Sequence, residues 1–266
     1  MPYDDLLRIA LAAAERGLDV IESSGSLSAD QIEAKSTSTD LVTVVDKATE
    51  EAVVGYIRSI RPDDGFIGEE SGESGKGALK WVIDPIDGTT NFVYGFPAYA
   101  ISIAAEDEGG YLCGVVLDVA RHDVYTATRS GGAFCNGRSI HAGSPPSLAE
   151  ALIATGFSYD PARRIHQAHA LSSIIGNVRD IRRAGAASLD LVSVASGRVD
   201  GYYEIGLWPW DYAAGTLIAR EAGALVGSLN GDAPSNAMTL AAPSTIFHPL
   251  RDLVRTAFEE AGVYSA

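Results

Sequence analysis

Residues 81–92, Trp-Val-Ile-Asp-Pro-Ile-Asp-Gly-Thr-Thr-Asn-Phe, leave the chain few ways to fold. Trp81, Val82 and Ile83 form a short apolar run that predicts a buried strand. Asp84 falls where that strand should end. Pro85 has no N–H to give to a ladder, so a turn is expected there. Asp87, Gly88 and Thr89 then predict the start of a helix with an acidic or hydroxyl cap. On this reading Asp84 and Asp87 face one space beyond the strand end, and the unpaired amides of the helix start point into it. Carboxylates attract a hard cation, and helix N-terminal amides attract an anion. A place offering both suits a metal-bound phosphate. The same residues also fit an ordinary strand–turn–helix corner, because Asp-Pro and Asp-Gly are common turn pairs. The rest of the chain has to decide between the two.

Two further segments read in the same way. Residues 41–60 predict a long helix with Asp40 or Thr43 as cap and Asp46 near its first turns, where the macrodipole favours a carboxylate. Phe66 and Ile67 predict a short strand ending in Gly68-Glu69-Glu70-Ser71, followed by a glycine-rich, mobile loop over 72–77. Two successive strands therefore end in acid. Residues 3–23 predict an amphipathic packing helix, and residues 99–138 a mostly antiparallel sheet with turns at Glu108-Gly109-Gly110 and Asn136-Gly137. Beyond the Ser144-Pro145-Pro146 loop, strands are expected at 151–157, 180–183, 202–204 and 238–242. Helices are expected at 161–176, at 185–196, from Pro209 to Glu221, and at 250–261. This alternation predicts a layered α/β protein.

The chain has 266 residues, enough for one domain over 1–266 with two sub-lobes, roughly 1–145 and 146–266. Its formal net charge of -15 argues against nucleic acid as a partner and suits carboxylates kept for cations. Cys113 and Cys135 lie in no Cys-x-x-Cys pair and are expected to be buried free thiols. The acidic N-terminus lacks the basic start of a signal peptide, and no apolar run approaches bilayer-spanning length. A cytoplasmic protein with no membrane partner is the expectation.

Four motifs occur in order: Asp40-Leu41-Val42-Thr43 with Asp46; Gly68-Glu69-Glu70-Ser71; Asp84-Pro85-Ile86-Asp87-Gly88-Thr89-Thr90-Asn91-Phe92; and Trp210-Asp211-Tyr212-Ala213-Ala214-Gly215. With them the sequence resembles the inositol monophosphatase family of magnesium-dependent, lithium-sensitive phosphatases over nearly its whole length. The resemblance implies a five-layered αβαβα sandwich, a homodimer, and two to three magnesium ions. It implies that Glu69, Asp84 and the Ile86 carbonyl hold one ion, and that Asp84, Asp87 and Asp211 hold the other. It gives Thr89, backed by Asp46, the task of orienting the attacking water together with Glu69. It places Asp87, Gly88, Thr89, Gly185, Ala186, Ala187 and Glu204 around the substrate. Inositol 1-phosphate is the first expectation, with histidinol phosphate, fructose 1,6-bisphosphate and adenosine 3′,5′-bisphosphate as alternatives. Trp208-Pro209 makes the rim bulkier, and Ala186 replaces a common threonine. A role as a partner of the transcription machinery, with catalysis secondary, is an alternative of another class.

The residue chemistry agrees. Phosphate monoesters hydrolyse so slowly in water that enzymes accelerate them by up to about 10²¹. The dianion must be neutralised, a nucleophile supplied and an alkoxide stabilised. Two magnesium ions can do all three. A donor set without His or Cys favours magnesium over zinc. Other designs fail: neither cysteine is followed by Arg at the offset a cysteine phosphatase needs, and Arg121-His122-Asp123 is not Arg-His-Gly. The carboxylates of Asp84 and Asp87 are separated by two residues, not the single residue of an aspartyl-nucleophile motif.

Overall fold

The computed structural model describes residues 3–25, 32–34 and 41–263. The expected cap Asp40 and the polar run from Lys35 lie outside the described residues. The first layer is a helix pair, α1 (Asp4–Ser23) and α2 (Val44–Ile60), beside a two-stranded ribbon of β1 (Ile32–Ala34) and β2 (Leu41–Thr43). The predicted helix over 41–60 thus gives its first three residues to a strand. Thr43 stops the helix there: its hydroxyl accepts from the amides of Val45 and Asp46, and Asp46 accepts from the Thr43 amide. This reciprocal pair is a capping box.

The second layer is an eight-stranded sheet in the order β10-β9-β8-β7-β6-β5-β3-β4. Its strands are β3 (Gly65–Gly68), β4 (Gly72–Ser74), β5 (Lys80–Asp87), β6 (Ala100–Asp107), β7 (Gly110–Asp118), β8 (Asp123–Thr128), β9 (Gly132–Cys135) and β10 (Arg138–Ser139). The expected mobile loop over 72–77 is partly ordered, since Gly72–Ser74 pairs with β3 as an edge strand. All pairings are antiparallel except β3 with β5. That parallel pair brings the two acidic strand ends together, with Gly68 opposite Ile83.

The third layer holds α5 (Ala187–Ala195) and α6 (Pro209–Glu221). The fourth is a five-stranded sheet, β12-β11-β13-β15-β14, made of β11 (Leu152–Thr155), β12 (Asp180–Arg182), β13 (Gly201–Glu204), β14 (Ala224–Gly227) and β15 (Thr239–Pro243). The fifth pairs α4 (Pro161–Ile174) with α7 (Phe247–Glu260). Three apolar cores glue these layers: α1 and α2 onto the large sheet, α5 and α6 between the sheets, and α4 and α7 onto the small sheet. The αβαβα order matches the expected sandwich. Cys113 is buried, while Cys135 is only half-buried; both are free thiols.

The largest departure from expectation is at Pro85. The strand does not stop there but runs to Asp87, carrying proline in a bulge. Asp84 pairs with Ser102 and Asp87 with Ala100, so β5 spends one more residue than β6 over this stretch. In a regular strand, residues three apart face opposite sides. The extra residue brings Asp84 and Asp87 to the same side. The outer core records the shift: Trp81 and Ile83 enter it by alternation, and Ile86 joins them. Slipping the register by one residue would exchange Ile83 for Asp84 in that core, at a cost of several kcal/mol for an unpaired buried charge. Asp87 is therefore a strand end, not a helix cap. The cap is Gly88 at φ 90°, and α3 (Thr89–Tyr94) is only six residues long. A side chain at Gly88 would place its Cβ 2.8 Å from the Ala98 carbonyl oxygen, so the turn needs glycine on both counts.

Candidate active site

The ends of β3, β5 and β13 and the start of α6 open onto a cavity of about 450 Å³. Its wall includes Glu69, Asp84, Ile86, Asp87, Gly88, Thr89, Glu204 and Asp211. Asp84, Asp87 and Asp211 each aim one carboxylate oxygen at a common point, all within 4.8 Å of one another. Glu69 stands beside Asp84, next to that triad.

Backbone amides hold the three carboxylates of the triad, that of Asp87 from another element. The Trp208 amide donates to Asp211 Oδ2 at 2.6 Å, closing the first turn of α6. The start of α6 is in turn anchored on the large sheet, where Ser102 Oγ donates to the Trp210 carbonyl. The Ile86 amide donates to Asp84 Oδ1 at 3.1 Å. Asp87 reaches 100 residues along the chain to α5 and accepts from the amides of Ala187 and Ser188 and from Ser188 Oγ. That helix has no side-chain cap of its own at Ala186, so Asp87 caps it from outside. Glu69 is placed by a residue the sequence reading passed over. Glu50 on α2, 2 % exposed, accepts from the amides of Glu70 and Ser71 at 2.9 and 2.8 Å. Gly68 leaves room for it, since a Cβ there would lie 2.5 Å from the Glu50 carboxylate.

The electrostatics identify what the triad can hold. Burial, then the charges of Glu69, Asp87 and Asp211, hold the Asp84 carboxyl well above the usual aspartate range. Burial and Asp87 do the same to Asp211. Burial raises Asp87 as well, but the hydrogen bonds from Ser188 and Ala187 and the Arg183 guanidinium pull it back. Converging buried carboxylates that cannot all ionise together are compensated by a cation. An all-oxygen donor set with the Ile86 carbonyl beside it suits a hard divalent ion. The residues present thus fit a metal centre.

Beside the triad, Thr89 Oγ1 lies 2.9 Å from Asp46 Oδ1 and 3.0 Å from the Ile86 carbonyl, within donating distance of either. Asp46 is wholly buried and also accepts from the Thr43 amide and hydroxyl. It stands behind Thr89 rather than in the cavity wall. Across the cavity, Glu204 accepts from the Tyr202 hydroxyl at 2.7 Å, and burial pushes its carboxyl up to about 7. Gly185 and Ala187 line the cavity. Ala186 does not: it is buried, packed close to Gly88.

The sequence profile of the inositol monophosphatase family matches residues 3–259. The chain belongs to the inositol monophosphatase family. Its relatives in this family of metal-dependent phosphatases include a Pasteurella multocida protein named Nus factor SuhB, 44% identical over 230 residues, covering 85% of this chain and 86% of that one. Another is the inositol-1-monophosphatase SuhB of Mycobacterium tuberculosis, 46% identical over 205 residues, covering 73% of this chain and 71% of that one. Among solved structures, Thermotoga maritima IMPase superposes with a TM-score of 0.88 at 30% identity, covering 97% of this chain and 100% of that one. SuhB from Bartonella henselae gives 0.86 at 32% identity, covering 94% and 98%. The family is one of metal-dependent phosphatases, and an acidic cluster able to hold a metal ion agrees with membership. No helix among the described residues is long and apolar enough to cross a membrane.

Glu50, Ser188, Tyr202 and Arg183 fall in none of the four sequence motifs. Glu50 left a faint signal, an acid four residues after Asp46 on the buried face of α2 that also holds Val53 and Ile57. The others act across 2 to 101 residues of chain and carry no local signature.

Proposed function

We propose that this protein hydrolyses a small phosphate monoester, inositol 1-phosphate first among the candidates, with magnesium at the Asp84–Asp87–Asp211 triad and Glu69. The observation that carries this reading is the convergence of the triad within 4.8 Å in the same cavity wall as Thr89, itself 2.9 Å from Asp46. Glu69, Asp84 and the Ile86 carbonyl would hold one ion; Asp84, Asp87 and Asp211 would hold a second. A third, weaker ion near Glu69, lithium sensitivity, a cytoplasmic setting and a homodimer belong to the same proposal. Bound divalent ions would neutralise the phosphoryl charge, supply a stronger nucleophile from water and steady the departing alkoxide.

The chain's own residues do the rest. Thr89 Oγ1, donating to Asp46, keeps its lone pairs for a proton of the attacking water and so points that oxygen at phosphorus. Asp46, held by Thr43, fixes the threonine rotamer. Gly88 and Thr89 offer backbone N–H groups to the phosphate, since first-turn amides of α3 have no intrahelical acceptor. Glu204 uses one oxygen for Tyr202 and keeps the other for a hydroxyl of the alcohol. Gly185 and Ala187 close the cavity beside it, and Ala186 shapes that turn from behind.

The test is phosphate release with magnesium, with and without lithium, from inositol 1-phosphate, histidinol phosphate, fructose 1,6-bisphosphate and adenosine 3′,5′-bisphosphate. Inositol 1-phosphate ranking last overturns the substrate; no release from any of them overturns the reaction. The name Nus factor borne by the Pasteurella multocida relative supports a second reading, a partner of the transcription machinery. Asp84→Asn separates the two, because it removes hydrolysis and leaves a docking role intact.

A further inference from the structure

Glu204 and Asp211 belong to one continuous segment, running from the end of β13 through Ile205, Gly206, Leu207 and Trp208 into α6. This segment forms one side of the cavity mouth. An alcohol held between Glu204 and the triad leaves past it. Two features there have no use in the reading above. Trp208 is 55 % exposed and stacks on Trp210, with ring centroids 5.8 Å apart and planes 18° apart, so its outer face is open. Arg163, on the first turn of α4, lines the same cavity and is exposed. Its Nη1 lies 3.9 Å from where a Cβ on Gly206 would be. Among the described residues it makes no hydrogen bond or ion pair. The nearby Asp160, in the same cavity wall, caps the Ala162 amide at 2.9 Å and forms no ion pair with it.

An unpaired guanidinium and an open indole face in the wall of one cavity, whose acids outnumber its other cation Arg183, make a place for a ring carrying an anion. The planar fork suits a carboxylate or phosphate bidentately, and the indole takes a ring face. Arg183 offsets part of the Glu204 charge, and Arg163 adds a second cation for a second anion on the substrate. We propose that Arg163 and Trp208 form an outer subsite at which a ring and a second anionic group on the alcohol each add to kcat/KM, widening the range beyond inositol 1-phosphate without excluding it. The proposal rests on the phosphatase reading of the cavity.

Three substrates isolate the two contacts: glycerol 2-phosphate has neither ring nor second anion, benzyl phosphate adds the ring, and 4-carboxybenzyl phosphate adds both. With magnesium, kcat/KM rises along this series in the natural protein. Arg163→Gln lowers the ratio of 4-carboxybenzyl to benzyl phosphate about 5- to 10-fold, and Arg163→Lys restores part of it. Trp208→Ala lowers the ratio of benzyl to glycerol 2-phosphate by a similar factor. Raising the salt concentration shrinks the first ratio and spares the second. Arg138→Gln, an exposed arginine on β10, keeps both ratios at their natural values. An active enzyme with flat ratios, or ratios that Arg163→Gln leaves unmoved, overturns the subsite alone. No phosphate release from any of the three, or from inositol 1-phosphate, overturns the phosphatase reading and the subsite with it.

Discussion

Glu50 touches no cavity atom, yet it should be one of the most sensitive positions in the chain. Its two carboxylate oxygens take the amides of Glu70 and Ser71 at 2.9 and 2.8 Å, and the side chain is 2 % exposed. Glu50→Gln keeps the shape and one acceptor. The other oxygen becomes an NH2 that faces a backbone N–H, donor against donor. A hydrogen bond to a charged group contributes about 1.5–3 kcal/mol, and the stranded amide adds to the loss. Partial access of water to the 69–71 loop offsets some of this, leaving a cost of about 2–3 kcal/mol. For a chain of this size that lowers Tm by roughly 5–10 °C. Glu69 lies next to Glu70 in the same loop, so the rise in Tm on adding magnesium should shrink as well. Thermal unfolding followed by circular dichroism, in EDTA and in saturating magnesium, reads both effects. Glu51→Gln, one residue along on the exposed face, should change Tm by little. A Glu50→Gln melting curve within a degree of the natural protein in both buffers would refute the anchoring argument.

Saturating magnesium should raise the Tm of the natural protein and leave Asp84→Asn nearly unmoved, because that change removes the carboxylate that both proposed ions would use; differential scanning calorimetry decides it. In EDTA, stability should fall as pH rises from about 4.5 to about 7. Glu204 is held near 7 in the folded chain against an ordinary 4.5, so the folded state binds the proton more tightly across that window, a difference of roughly 3 kcal/mol; Asp84 and Asp211 act in the same sense, and urea titrations at stepped pH read the slope. Thr89→Ala should lower kcat on inositol 1-phosphate by about 100-fold or more and Thr89→Ser far less, as steady-state phosphate release will show. Gly88→Ala should destabilise the fold by at least about 2 kcal/mol in denaturant unfolding, since its φ of 90° and the 2.8 Å approach to the Ala98 carbonyl both exclude a side chain.

Much of this protein was legible along the chain. The apolar run at Trp81, the acids at Asp84 and Asp87, the cap at Thr43 and the proline at the start of α6 are local signals, and local signals survive folding. The composition and the alternation of periods indicated layers of helix and sheet. What the sequence by itself determined was therefore the list of carboxylates and the strand and helix ends that bear them.

The tertiary structure decided how those groups are held. Pro85 read as a turn because proline cannot serve a ladder; the sheet instead took it into a bulge, and the bulge is what turns Asp84 and Asp87 to one side. Glu50, Ser188 and Tyr202 bind Glu69's loop, Asp87 and Glu204 across 20, 101 and 2 residues of chain respectively. Arg163 and Trp208 line one cavity although they lie on different elements far apart in the chain. Such pairings arise from the packing of layers. A one-dimensional pattern records what a residue can offer, and the fold alone fixes what it is offered to.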